Sequence, residues 1–274
     1  TAAAGGWSRL TDTEGGAQQD RLVGGLQPLA ERFAEPLGER VRLRVPVRRL
    51  ITDKEGVVVE ADEGSWLARR VVVTLPPTLA ARIDYDPPLP GGRDQLTQRM
   101  PQGSVIKFHV VYPTPWWRQR GLSGTVLAPD RAVGVTFDGT PPTAQPGIIT
   151  GFFEGSHATE AARRTSDERR QVVLDVLVDA LGPDAREAID YVDLDWSEEP
   201  FTRGCYGAHL PPGAWTAHGT ALRQPVGRIH WAGTETARAW AGYIEGALES
   251  GERVAEEILA AEHKHRRPNG DRGV

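Results

Sequence analysis

The stretch that most constrains the fold runs from Arg228 to Leu259, RIHWAGTETARAWAGYIEGALESGERVAEEIL. Ile229 to Ala232 form a short apolar strand signal, Gly233 breaks it, and a loop of mostly small residues leads to Gly242. Beyond it Ile244, Ala247, Leu248, Gly251, Val254, Ala255, Ile258 and Leu259 recur at the spacing of one helix face. Such a helix starts with unpaired backbone N–H groups and the positive end of its dipole near Gly242 and Tyr243. Gly242, without a side chain, lets a ligand approach the backbone. A strand, a glycine break and a helix start make a seat for a flat or anionic group. By spacing alone, the same unit also reads as ordinary packing.

At 274 residues and 39% hydrophobic, the chain can bury the core of one large or two ordinary domains. A net charge of -5 argues against a nucleic-acid partner, which calls for a broad basic surface. No apolar run approaches the roughly 20 residues that span a bilayer, and no secretory leader is visible, so the expectation is a soluble, cytoplasmic protein without a membrane partner. The polar end HKHRRPNGDRGV, residues 263–274, reads as a disordered tail. The single cysteine, Cys205, excludes an intrachain disulfide and a cysteine-cluster metal site. The seven histidines show no metal-ligand spacing, so no metal is expected. No two of the 31 glycines are separated by one residue, so the G-x-G core of a dinucleotide-binding turn is not in this chain.

Residues 1–22 read as loop, with Trp7 and Gln18 as its two residues of interest. A helix with Leu26, Leu29, Ala30 and Phe33 on one face follows, stopped by Pro36 and Gly38. Strand signals cover Val41–Leu50, Gly56–Ala61 and Trp66–Leu75, and an exit linker carries Pro87, Pro88 and Pro90 into a short helix at 94–99. Over Ser104–Tyr112, alternation puts Val105, Lys107, His109 and Val111 on one face and Ile106, Phe108, Val110 and Tyr112 on the other. Lys107 is thus a mid-strand lysine, facing solvent or buried for a purpose. Three more strand signals lie in 120–155, and a helix over Thr165–Leu181 places Val172, Val173, Val176, Leu177 and Ala180 on one side.

WAGTETA with WAGYIEGALESGERVA, RMPQGSVIK with PWWR, and W-S-E-E-P-x-x-R-G-C-Y together extend along nearly the whole chain. They resemble the FAD-dependent amine oxidases, the monoamine oxidase family. The resemblance implies an α/β fold, the C-terminal part of a two-domain enzyme with interleaved FAD-binding and substrate-binding domains. The substrate part takes residues 1–22 and 98–197; the FAD part takes 23–97 and 198–262. It also implies a missing N-terminal segment with the main FAD fingerprint, supplied on a separate chain or lost from a fragment.

Site roles follow from the same resemblance. Val47 would lie along the adenine end of FAD, as an alternative to a plain core valine. Gly233, Thr234 and Glu235 would meet its pyrophosphate and ribityl, with Glu235 ordering the loop or pairing with an arginine. Gly242, Tyr243 and Ile244 would present backbone to the flavin ring, and Trp196 would pack on its edge. Cys205 would form a thioether to FAD, other members with similar motifs holding FAD non-covalently; otherwise it is a buried small hydrophobe. Tyr206 and Tyr243 would sandwich the amine, and Lys107 would contact flavin N5 through a water.

The implied reaction oxidises a primary or secondary amine to an imine and aldehyde, reduces FAD, and ends with dioxygen giving hydrogen peroxide. Polyamine or L-amino-acid oxidation and a catalytically silent fragment lacking FAD stand as alternatives. The partners are a small amine and dioxygen, and a homo-oligomer stays open.

Overall fold

The computed structural model describes residues 6, 8, 9, 12, 14–17 and 19–266, and its elements mix helices and strands. Trp7 and Gln18 lie outside the described residues. In chain order the principal elements are α1 (Gln27–Ala34), β1 (Val47–Thr52), β2 (Val57–Ala61), β3 (Gly64–Ala68), β4 (Val71–Val73), β5 (Asp84–Asp86) and α2 (Gly91–Thr97). Then come β6 (Val105–Tyr112), β7 (Val126–Leu127), β8 (Val135–Asp138), β9 (Gly147–Glu154), α3 (Ser156–Ala161), α4 (Ser166–Leu181), β10 (Asp190–Asp195), β11 (Ile229–Trp231) and α5 (Ile244–Arg266).

Contacts divide the chain into two units, Thr1–Met100 with Leu210–Val274, and Pro101–His209. The second break falls later than the 197/198 boundary read from sequence, and the described residues among 6–22 group with the first unit. The physical reason for the later break is a return ladder: Cys205 N donates to Gly103 O (2.9 Å), Gly103 N to Gly207 O (3.0 Å), and His209 N to Pro101 O (2.8 Å).

In the first unit, β1, β2 and β3 form an antiparallel meander and β5 joins β1 in parallel, giving the order β3-β2-β1-β5. The apolar run expected as one strand over Trp66–Leu75 is two, broken at Arg69–Arg70, where the chain leaves one sheet and pairs in parallel with β11. Leu50, Val57, Val73, Ala80, Ile83, Ile229 and Trp231 form the core. Both helices expected to bury an apolar stripe differ from that reading. No residue of α1 is buried, and Phe33 is 60% exposed. On α5 the packed side carries Gly246, Ser250 and Val254, while Leu248 and Leu259 face out at 43% and 60%. Polar bonds explain the choice: Ser250 Oγ accepts from Gly233 N (2.9 Å), Arg253 Nη2 donates to Trp231 O (2.5 Å), and Glu257 pairs with buried His230. The helix also continues to Arg266, into the expected tail.

The second unit is a five-stranded antiparallel sheet in the order β10-β6-β9-β8-β7. Alternation along β6 holds: Ile106, Phe108, Val110 and Tyr112 enter a core shared with Val173, Leu174, Val176, Leu177 and Leu181 of α4. Leu174 and Leu181 take part in place of Ala180, which is exposed. A capping box starts α4, Thr165 Oγ1 accepting from Glu168 N while Thr165 N donates to the Glu168 carboxylate (2.8 Å). Within β9, Gly151 lies against the Phe108 ring so closely that a Cβ there would overlap it. Gly151→Val is therefore expected to destabilise by about 2 kcal/mol or more through overpacking. Urea unfolding checks this, and Phe108→Leu in the same chain should recover part of the loss.

Candidate functional site

In the second unit the sheet face away from α4 carries the polar groups. The β6–β9 register sets Lys107 opposite Phe152, and β10 places Leu194 on its other side. Lys107 is half-buried, with Nζ 5.9 Å from the Phe152 ring centre and no ion pair among the described residues. It thus meets neither extreme of the sequence reading: it lies on the face opposite the core, yet partly covered. Trp196 follows β10 directly, and its N–H donates to Val105 O (3.1 Å), holding it beside the strand of Lys107.

Cys205 and Tyr206 are delivered by the return ladder. Gly204, at φ +139°, sits where a Cβ would be 2.6 Å from Gln102 Cβ, so glycine is required for the two segments to approach. The Cys205–Tyr206 peptide bond is cis. The Tyr206 ring meets Phe152 edge-on (5.6 Å, 75°), and its hydroxyl donates to Glu154 Oε1 (2.9 Å). Burial, that hydrogen bond and the Glu154 charge all push the phenol well above its ordinary pKa. Burial also raises the Cys205 thiol, with Lys107 drawing it down and Glu154 pushing it up. Lys107, Phe152, Glu154, Cys205 and Tyr206 therefore make one local group.

In the first unit the loop after β11 is stapled to the start of α5. Thr234 Oγ1 donates to Tyr243 O (2.8 Å) and accepts from Gly242 N (2.7 Å). Arg223 donates to Thr236 O (2.7 Å) and Ala237 O (2.6 Å), fixing the other side. The Thr234 hydroxyl and the Gly242 N–H are thus occupied within the loop, as is Tyr243 N, which donates to Trp240 O (3.0 Å). Ile244 supplies the first helix N–H with no backbone partner among the described residues. The Tyr243 ring packs edge-on against Trp240 (5.4 Å, 80°). Gly233 adopts φ +107°, and a Cβ there would come within 3.0 Å of Thr74 O. Glu235 is half-buried and pairs with no arginine among the described residues, contrary to one of the sequence alternatives; burial raises its pKa. A carboxyl in that state suits hydroxyl groups better than phosphates. Val47 opens β1 opposite Ala61 and is 37% exposed, so it is not a core valine.

The sequence-predicted residues thus fall into two sets, Lys107, Trp196, Cys205 and Tyr206 in one unit, and Val47, Gly233, Thr234, Glu235, Gly242, Tyr243 and Ile244 in the other. Sequence reasoning missed Phe152 and Glu154. The signal was there, since period-2 alternation along GIITGFFE puts residues 148, 150, 152 and 154 on one face.

Comparison with known proteins adds the following. A family model described as flavin containing amine oxidoreductase matches residues 2–259. A probable flavin-containing monoamine oxidase A of Dictyostelium discoideum is 44% identical over 93% of this chain and 56% of its own length. A putative flavin-containing monoamine oxidase of Mycobacterium tuberculosis is 44% identical over 94% of this chain and 56% of its own. Among solved structures, a putrescine oxidase bound to putrescine superposes with a TM-score of 0.90 at 37% identity, covering 94% of this chain and 58% of that one. The chain therefore spans a little over half the length of the relatives it matches.

Proposed function

The chain belongs to the flavin-containing amine oxidoreductases, and from that premise we propose that it serves an FAD-dependent oxidase of small primary or secondary amines. Bound FAD would take two electrons from the amine's α-carbon and yield them to dioxygen, giving hydrogen peroxide. The observation that carries the reading is the Lys107, Cys205 and Tyr206 group against Phe152, an aromatic and cationic constellation on one sheet face. Tyr206 and, by the family resemblance, Tyr243 would each offer a ring face to the amine. Lys107 would hold a water near the flavin, and Trp196 would pack beside it. Ile244 would offer its helix N–H and Glu235 its carboxyl to ribityl hydroxyls; the Ile244 N–H without a backbone partner, and Glu235 without an arginine, both among the described residues, support this assignment.

FAD retention is proposed to need a further part bearing a G-x-G-x-x-G turn, on the same or a separate polypeptide. The outward apolar residues of α1 and α5 support that need, since unpartnered stripes of this kind mark contact surfaces. The test is anaerobic addition of a small amine to flavin-loaded protein, followed by air. Bleaching of the yellow colour with one peroxide released per amine is expected; a colour indifferent to every amine would favour the silent-fragment alternative.

Attachment of FAD through Cys205 is part of the proposal: a C–S bond would replace a C–H bond of the flavin's 8α-methyl, the proton going to solvent and the two electrons through the ring to dioxygen. The thiolate is the attacking form, and burial holds the thiol above its ordinary value. The attachment rate should therefore rise about tenfold per pH unit between pH 6 and 8. Colour retained in acid-precipitated protein measures it, and Cys205→Ala should leave that pellet white at every pH.

A further inference from the structure

The mechanism above leaves one charged group of the site without a task. Glu154 ends β9 and is exposed, yet its carboxylate is held: Oε1 accepts the Tyr206 hydroxyl at 2.9 Å. It acts on Cys205 in the sense opposite to Lys107, so carboxylate and ammonium both lie within electrostatic reach of that thiol. The charged and titratable groups around it are Lys107 on β6, Cys205 and Tyr206 on the return segment, and His109, two residues along β6 from Lys107. His109 is bonded through Nδ1 to Thr150 Oγ1 (2.8 Å), and burial lowers its pKa, so it is neutral near pH 7 and adds no second cation. No ion pair to Glu154 occurs among the described residues. An aromatic amine site therefore has a fixed, unpaired negative charge at the hydroxyl end of one of its rings.

We propose that Glu154 is a specificity-determining residue that selects amines carrying a second cationic group, the distal ammonium pairing with its carboxylate while the reacting nitrogen lies against Tyr206. The assignment rests on the amine-oxidase reading of the same site. A monoamine leaves the carboxylate to water; a diamine of suitable length neutralises it, and an ion pair beside the apolar Phe152 ring is screened less than one in bulk solvent.

The test compares 1,4-diaminobutane and 1,5-diaminopentane with n-butylamine and n-pentylamine on the flavin-loaded enzyme. Wild type should favour the diamines in kcat/KM. Glu154→Gln keeps an oxygen for the Tyr206 hydroxyl and removes only the charge. It should lower the diamine-to-monoamine ratio about five- to tenfold, chiefly through the diamine KM. Glu154→Asp, which keeps the charge, should restore part of the ratio. A Glu154→Gln enzyme in which both substrate types fall equally would show that the residue only supports Tyr206, and an unchanged ratio would show no contact with substrate. Either overturns the assignment. A wild-type enzyme that oxidises no amine would instead overturn the reading on which it rests.

Discussion

Asp193→Ala is expected to destabilise the 101–209 unit by about 3–5 kcal/mol, because it strands a buried guanidinium. Asp193 on β10 takes Arg169 Nε at 2.6 Å and Nη2 at 2.9 Å, and accepts from Tyr191 Oη (3.0 Å) and Ser166 Oγ (3.1 Å). The Asp193 and Arg169 side chains are only 6% and 12% exposed, so little water screens the loss. A domain's whole stability is about 5–15 kcal/mol, which makes this a large fraction. Leucine at both positions removes the unpaired charge and should recover part of the loss, since a buried pair adds little over well-packed apolar groups.

The pH dependence has a definite sign. Burial pushes Asp193 up, but the bonds from Arg169, Tyr191 and Ser166 outweigh it and leave the carboxyl below its ordinary 3.8. A depressed folded value contributes stability that is complete above the unfolded value and is lost as pH falls through the folded one. The gap between wild type and Asp193→Ala should therefore stay constant from about pH 8 to 5 and narrow below about pH 4. Urea titrations across that range measure it, and a gap that widened on acidification would contradict the arrangement.

How much of this was legible beforehand depended on whether local pattern or distant partners decided the outcome. The β6 alternation and the α4 start were readable because pleat and capping box are local rules, and both survive in place. The α5 stripe was read only in part, since Val254 is buried as expected but its neighbours on the stripe are not. Apolar spacing pointed to Leu248 and Leu259, but the packed side is chosen by Ser250, Arg253 and Glu257, whose partners on β11 and its loop are remote in sequence. The break at Arg69–Arg70 was invisible for a similar reason, since β4 pairs with a strand about 160 residues away in the chain and not with its neighbour β3. At the candidate site, motif resemblance pointed to Cys205 and Tyr206. It could not find Glu154, which stands outside the quoted motifs and gains meaning only from the Tyr206 hydroxyl.

The largest effect on activity is expected from Tyr206→Leu combined with Tyr243→Leu. On the proposed reading each ring face would offer a polarisable surface to a nitrogen that exchanges between ammonium and free amine, worth up to about 2 kcal/mol when water is excluded. Losing both should lower kcat/KM for small amines by about 10²-fold or more. Phenylalanine at both positions keeps the faces and removes the hydroxyls, including the one donated to Glu154, so a fall of about tenfold is expected there. Neither pair of changes touches the Thr234 staple, whose acceptor in Tyr243 is the backbone carbonyl, nor the Gly103–Cys205 ladder. Flavin content, read as the ratio of visible to ultraviolet absorbance, should accordingly hold while turnover falls. Parallel loss of colour and turnover would make the two tyrosines supports of the fold, and the amine would have to be oriented by other groups.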